Sequence, residues 1–275
     1  MQRFREIAPG VLVATSDLLM STSTVVVAED GACLVIDPAV SVADLRALAD
    51  DLHGAGLRPR AGFATHPHWD HVLWSRELGD VPRYAAPAAV EIAETERDGM
   101  VSGVQRTAPG HDLELFGRLV PLAEDAERIP WDGPAAELII HNGHAPGHGG
   151  VFLPDAGVLV AGDMLSDIEI PLLDTVEDDP LGDYRAGLQR LTAVSGVRWV
   201  VPGHGHVGDA AEFRRRVDAD TRYLDLLAAG KPFDDPRCTA ADTPQWQRDA
   251  HASHLRAVAG QPPDTGSSAS AGSGS

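Results

Sequence analysis

Short apolar runs fall into two groups along this chain, and helical spacing follows each group. That pattern narrows the fold more than any other feature. The first group is VLVAT (11–15), STVVVAED (23–30), ACLVIDP (32–38) and AGFAT (61–65), each read as a strand. Between the last two, Val42, Leu45, Leu48, Ala49 and Leu52 recur at helical spacing. Ser41 with Asp44 offers a capping start to this helix, and Gly54 or Gly56 offers a stop. The second group is ELIIH (137–141), GGVFLP (149–154), GVLVAGD (157–163) and VRWVVPG (197–203). Helices are expected over 183–194, over 209–230 with Asp209 as cap, and over 245–260. Two strand-rich halves, each followed by helices, predict two sheets packed face to face with helices outside. In 87–135 only the start, from 86 to 103, reads as a helix. Residues 1–260 are expected to form a single domain, and the Gly/Ser-rich stretch 261–275 a disordered tail.

Several of these runs end in groups that do not belong in a core. AGFAT leads into HPHWDH, which supplies His66, His68, Asp70 and His71 within six positions. Burying that many ionisable groups together is costly unless something pairs them. Pro67 biases His66 towards an extended backbone, so His66 and His68 can point to a common side. Three further strand ends carry candidates: His148 in GHAPGHGG, Asp163 closing GVLVAGD, and His204 closing RWVVPGH. Imidazole and carboxylate are metal donors, and four donors in one turn suggest two ions that share ligands from elsewhere.

Composition excludes some partners. The net charge is −19, which repels phosphate backbones and anionic lipid, so neither nucleic acid nor membrane is expected. No apolar run is long enough to span a bilayer, and the N-terminus lacks the apolar run of a signal peptide. A cytoplasmic protein acting on a small molecule is the expectation, with its oligomeric state open. GHGHVG (203–208) matches a dinucleotide-binding spacing, but no strand follows to complete the unit, so Gly203 and Gly205 are read as room for the His204 turn.

The series His66-x-His68-x-Asp70-His71, then His148, Asp163 and His204, resembles the metallo-β-lactamase superfamily of metallohydrolases. The resemblance covers about residues 10–230. It implies an α/β (α+β) fold, the four-layer αββα sandwich, in agreement with the two-half reading. It also implies a pair of divalent metal ions, Zn2+ foremost with Fe or Mn as alternatives. His66, His68 and His148 would hold the first, Asp70, His71 and His204 the second, and Asp163 would bridge them together with a hydroxide. The resemblance makes that bridging hydroxide the nucleophile and gives Asp70 a catalytic part in orienting it and passing on a proton. His144 is read as a neighbour that orients a ligating imidazole.

Departures within the family narrow the activity. The zinc β-lactamases lack an aspartate like Asp163. The N-acyl homoserine lactonases carry a tyrosine soon after it, where this chain reads GDMLSD. The glyoxalase-II-like thioesterases share all seven ligands but grip glutathione with C-terminal basic residues that have no clear match here. The expected function is hydrolysis of an ester, thioester or lactone. The alternative is a mono-iron persulfide dioxygenase, an oxidoreductase with a similar ligand set. The pocket is expected from the loops 87–135 and 164–182, and His53, His251 and His254 are expected to be solvated.

Overall fold

The apolar runs become two twisted sheets in the computed structural model, which describes residues 4–241 and 243–259. The first sheet contains β1 (Arg5–Ala8), β2 (Val11–Thr15), β3 (Thr22–Val27), β4 (Ala32–Ile36), β5 (Arg58–Phe63), β6 (Arg83–Ala85) and β7 (Val120–Pro121), in chain order. β1 to β4 are antiparallel, whereas β4 to β7 are parallel. The second contains β8 (Glu137–His141), β9 (His148–Leu153), β10 (Val158–Gly162), β11 (Trp199–Pro202) and β12 (Gly208–Asp209), in the order β12-β11-β10-β9-β8. Only β10 and β11 are parallel there.

Strand alternation builds three apolar layers. Val26, Leu34, Ile36 and Phe63 of the first sheet face Val151, Leu153, Val158, Val160 and Val201 of the second. Their neighbours point the other way. Val25, Cys33 and Val35 pack under α1 (Val42–Gly54), α2 (Pro87–Thr95) and α3 (Arg97–Thr107). Phe152, Leu159, Ala161 and Val200 pack under α4 (Pro180–Thr192) and α5 (Ala210–Ala228). Strands buried on both faces explain why the runs are nearly all apolar. The result is the expected αββα sandwich. Each large side chain in these layers contributes about 1.5–3 kcal/mol by leaving water.

The expected caps form. The Ser41 side chain accepts the Asp44 N–H at the start of α1. Asp209 accepts the N–H groups of Ala211 and Glu212 at the start of α5. The single helix expected over 86–103 instead breaks at Glu96 into α2 and α3. At the break the Thr95 hydroxyl bonds the Glu91 carbonyl at 2.8 Å, and such side-chain back-bonding bends helices. Two C-terminal helices, α6 (Pro236–Thr239) and α7 (Gln245–Val258), pack beside α5. The tail expected over 261–275 lies outside the described residues. Among the described residues, no helix is long and apolar enough to cross a membrane.

Candidate metal centre

The two sheets are stitched together at one rim, and the ionisable strand ends collect there. The Thr22 N–H donates to the Gly203 carbonyl at 2.7 Å, the Gly149 N–H to the Thr65 carbonyl at 2.6 Å, and the Gly205 N–H to the Met20 carbonyl at 2.9 Å. The segment after β5 brings in His66, His68, Asp70 and His71. The turn between β8 and β9 brings in His144, β10 ends at Asp163, and β11 ends at His204. Among the described residues five non-glycine residues have positive φ, and all five touch this rim: Leu19, Met20, Asp37, His144 and Leu165 (φ 60°, 52°, 48°, 75° and 59°). Backbone held in sparsely populated regions costs energy and concentrates at functional sites.

Two groups of donor atoms converge. In the first, His66 Nε2 lies 3.0 Å from His68 Nδ1, which lies 3.1 Å from His144 Nε2. Asp163 Oδ2 is 3.4 Å from His66 Nε2 and 3.5 Å from His144 Nε2. In the second, His204 Nε2 is 3.3 Å from His71 Nε2 and 3.2 Å from Asp70 Oδ2, with Asp70 and His71 3.6 Å apart. Asp163 reaches this group too, with Oδ1 at 3.3 Å from His71 Nε2 and Oδ2 at 3.3 Å from His204 Nε2. Tetrahedral coordination at about 2.0 Å places donors about 3.3 Å apart, so both groups have the dimensions of a divalent cation's ligand shell. Asp163 belongs to both, and its Oδ1 is buried without a hydrogen bond.

The hydrogen atoms are settled by what each ring touches on its outer side. His144 Nδ1 donates to the Leu172 carbonyl at 3.0 Å, and His204 Nδ1 to the Leu19 carbonyl at 2.9 Å. Carbonyls only accept, so each Nδ1 carries the proton and each Nε2 faces inward with a free lone pair. His71 Nδ1 donates to Asp37 Oδ2 at 3.0 Å. The Thr65 hydroxyl donates to that same carboxylate oxygen at 2.6 Å and accepts from His66 Nδ1 at 3.0 Å. Such outer partners orient ligating imidazoles and raise their basicity. Asp37 is a site residue that motif reading missed. Its one signal is a carboxylate closing the apolar run of β4, as Asp163 closes β10.

Electrostatics point the same way. Burial disfavours charge on His71, but Asp163, Asp70 and Asp37 outweigh it and hold its pKa well above the usual value. His204 behaves alike, with burial opposed by Asp163 and Glu169. His66 goes the other way: burial and the neighbouring His71 push it well below the usual value. Burial would raise Asp70, yet His71 and His204 bring it down to about 2. The carboxylates around the second group thus favour positive charge there, which a bound cation would supply.

The structure brings together six of the seven expected ligands and exchanges the seventh. His148 joins neither donor group, and His144 stands in the place expected for it. As the first residue of β9, His148 pairs in register with His141, and the strand pleat turns its ring into the interior. There it stacks between His66 and His141 at 5.0 and 4.6 Å. Its Nε2 accepts the Asp163 N–H at 3.3 Å, so it braces Asp163 from behind. His144, expected only to orient a ligand, sits in the turn with positive φ and aims Nε2 at the donors.

The pocket over these groups is lined by Leu19, Glu169, Leu172 and Trp246 besides the donors themselves. Loop 164–182 contributes as expected, whereas 87–135 contributes nothing to this lining. Trp246 comes from α7, far along the chain, and no local signal marked it. Trp69 is a core residue at 6% exposure, packed against Gly103 of α3. His254 is not solvated but 3% exposed: Nε2 accepts the Leu173 N–H at 3.2 Å, and Nδ1 bonds the Tyr223 hydroxyl at 2.9 Å. His251 closes that network, with Nδ1 on the Tyr223 hydroxyl at 3.0 Å and Nε2 on the Phe233 carbonyl at 3.1 Å.

Known proteins resemble this chain in sequence and in fold. The hydroxyacylglutathione hydrolase of Acidiphilium cryptum (strain JF-5) is 27% identical over 220 residues, covering 80% of this chain and 79% of that protein. The probable metallo-hydrolase YqgX of Bacillus subtilis (strain 168) is 25% identical over 210 residues, covering 74% of this chain and 90% of that protein. Among solved structures, a metallo-beta-lactamase family protein from Thermus thermophilus, TTHA1429, superimposes with a TM-score of 0.64 at 21% identity, covering 92% and 93% of the two chains. Residues 17–204, which run from the rim loop before β3 to the last donor histidine, match the family model of the metallo-beta-lactamase superfamily, and the chain belongs to that superfamily.

Proposed function

We propose that the chain is a dinuclear metal-dependent hydrolase that cleaves an ester, thioester or lactone. The observation that carries this reading is the pair of adjoining donor groups sharing Asp163, each with ligand-shell dimensions and inward lone pairs. His66, His68 and His144 would hold one divalent ion, and Asp70, His71 and His204 the other, with Asp163 between them. Such a pair of ions, when bound, supplies hydroxide at neutral pH and polarises the carbonyl under attack. The remaining work falls to the chain. Asp70, 3.2 Å from His204 and 3.6 Å from His71, is placed to orient the attacking water and relay its proton. The proton passes to the departing alkoxide or thiolate as the acyl carbon takes the hydroxyl. Asp37, Leu172 and Leu19 keep the imidazoles aimed, so no reorganisation accompanies the reaction. The similarity to a hydroxyacylglutathione hydrolase supports a thioester among the three substrate classes.

The test is metal analysis with a substrate panel. Two zinc ions per chain and turnover of thioester, ester or lactone substrates are expected, with turnover lost in Asp70→Ala. One iron per chain, oxygen consumption with glutathione persulfide and no hydrolysis would replace this reading by a persulfide dioxygenase.

A further inference from the structure

The pocket over the donors is built from few side chains, and their chemistry is one-sided. Leu19 and Leu172 give apolar wall, Trp246 gives an aromatic face, and Glu169 gives a carboxylate. Among the described residues, no lysine or arginine lines it. The two arginines that brace its floor are turned away and spent. Arg216 holds the Leu165 carbonyl and is paired with Glu212, while Arg237 holds the Glu169 carbonyl and is paired with Asp220 and Asp235. Gln247 of α7 bonds the Ile168 carbonyl between them at 3.1 Å. The backbone of 165–169 is thus tied down from behind, which fixes where the Glu169 side chain stands.

That side chain has no hydrogen-bond partner among the described residues, although its residue is only partly exposed. With Asp70 and Asp163, Glu169 makes three carboxylates on the pocket lining. Two divalent ions and one hydroxide then leave the pocket without surplus positive charge. An anionic substrate arm, such as that of a glutathione conjugate, finds no counter-charge on these walls. A cationic arm finds a carboxylate, an aromatic face and apolar contacts, the set that recognises ammonium groups.

We propose that the pocket selects an acyl substrate carrying a cationic amine or ammonium arm, held between Glu169 and Trp246. This rests on the hydrolase reading for the reaction but not for the binding. The full chain is titrated with choline and with its uncharged isostere, in which tert-butyl replaces trimethylammonium, while tryptophan fluorescence is followed. Choline is expected to bind about tenfold more tightly than the isostere. Glu169→Gln is expected to erase the preference, and Trp246→Phe to erase the fluorescence response. Equal binding of the two probes, or a preference that survives Glu169→Gln, would overturn the proposal. Acetylthiocholine and its tert-butyl counterpart are then compared as substrates of the zinc-loaded chain. Hydrolysis of both at equal kcat/KM sinks the cation inference and leaves the hydrolase reading standing. Selective choline binding with no hydrolysis of any ester, thioester or lactone sinks the hydrolase reading and leaves the pocket inference standing.

Discussion

One peptide unit ties the C-terminal helix to the metal site, and breaking that tie tests the geometry of His144. The Leu172 carbonyl accepts from His144 Nδ1 at 3.0 Å, and the N–H of the same peptide, on Leu173, donates to His254 Nε2 at 3.2 Å. His254 is in turn held by the Tyr223 hydroxyl, which His251 also bonds. His254→Leu leaves the Leu173 N–H without an acceptor in a site where Leu173 is 8% exposed. A stranded buried donor costs about 1–3 kcal/mol, so the chain should lose that much stability. The freed peptide can rotate, and His144 then loses the acceptor that orients it. Losing the outer partner of a ligating imidazole costs about 10–100-fold in metal affinity. The assay is cobalt titration followed by visible absorbance, with zinc competition against a chelator. The group of His66, His68 and His144 should weaken, while that of Asp70, His71 and His204 keeps its affinity. His254→Gln supplies an oxygen for the Leu173 N–H and an amide for Tyr223, and should restore most of the loss. A His254→Leu chain with lower stability but unchanged affinity in both groups would refute the coupling and leave His254 a packing residue.

Further outcomes test the site itself. His144→Ala should lower the metal content to about one ion per chain, whereas His148→Ala should keep both ions and lose about 2–4 kcal/mol of stability through a cavity and a stranded Asp163 N–H; the reverse result would restore His148 as the ligand. Gly203→Ala should abolish metal binding, because a Cβ there would collide with Asp163 Oδ1 and lie 2.9 Å from both the Gly162 carbonyl carbon and His71 Cε1; metal analysis giving two ions for this variant would show that the turn has room to spare. Acid should destabilise the fold, since burial lowers His254 to about 3, and burial with the nearby Arg190 lowers His141 to about 4. The unfolded chain protonates near the usual histidine value while the native chain does not, so this stability is complete above about pH 6.5 and is lost as pH falls towards 3–4, by up to about 1.4 kcal/mol per pH unit for each group. Melting His254→Gln across pH 4–7 should show a shallower slope by about one proton, and an unchanged slope would exclude His254 as its source.

Much of the scaffold is legible without coordinates because its signals are local. Buried strands must be apolar on both faces, so β4, β10 and β11 stand out as runs, and a carboxylate or imidazole closing such a run has no packing explanation. The starts of α1 and α5 are equally local, since Ser41 and Asp209 bond N–H groups two or three residues away. The break at Glu96 is harder to see, because a single Thr95 back-bond competes with an otherwise helical pattern.

The sequence by itself determined that the donors exist, that they stand at strand ends, and that a cation must offset burying them together. Only the tertiary structure decided which histidine of GHAPGHGG faces the other donors. The two are four residues apart with similar neighbours, and the choice lies in the register of β9 against β8 and the positive φ of His144. It also decided what surrounds the donors. Asp37 orients His71 across 34 positions of chain, and Trp246 roofs a pocket whose donors end at His204. Contacts between residues so far apart depend on how whole layers stack and where the C-terminal helix lands. No spacing rule encodes them, because the energy that sets them is spread over three apolar layers rather than written in one stretch of chain.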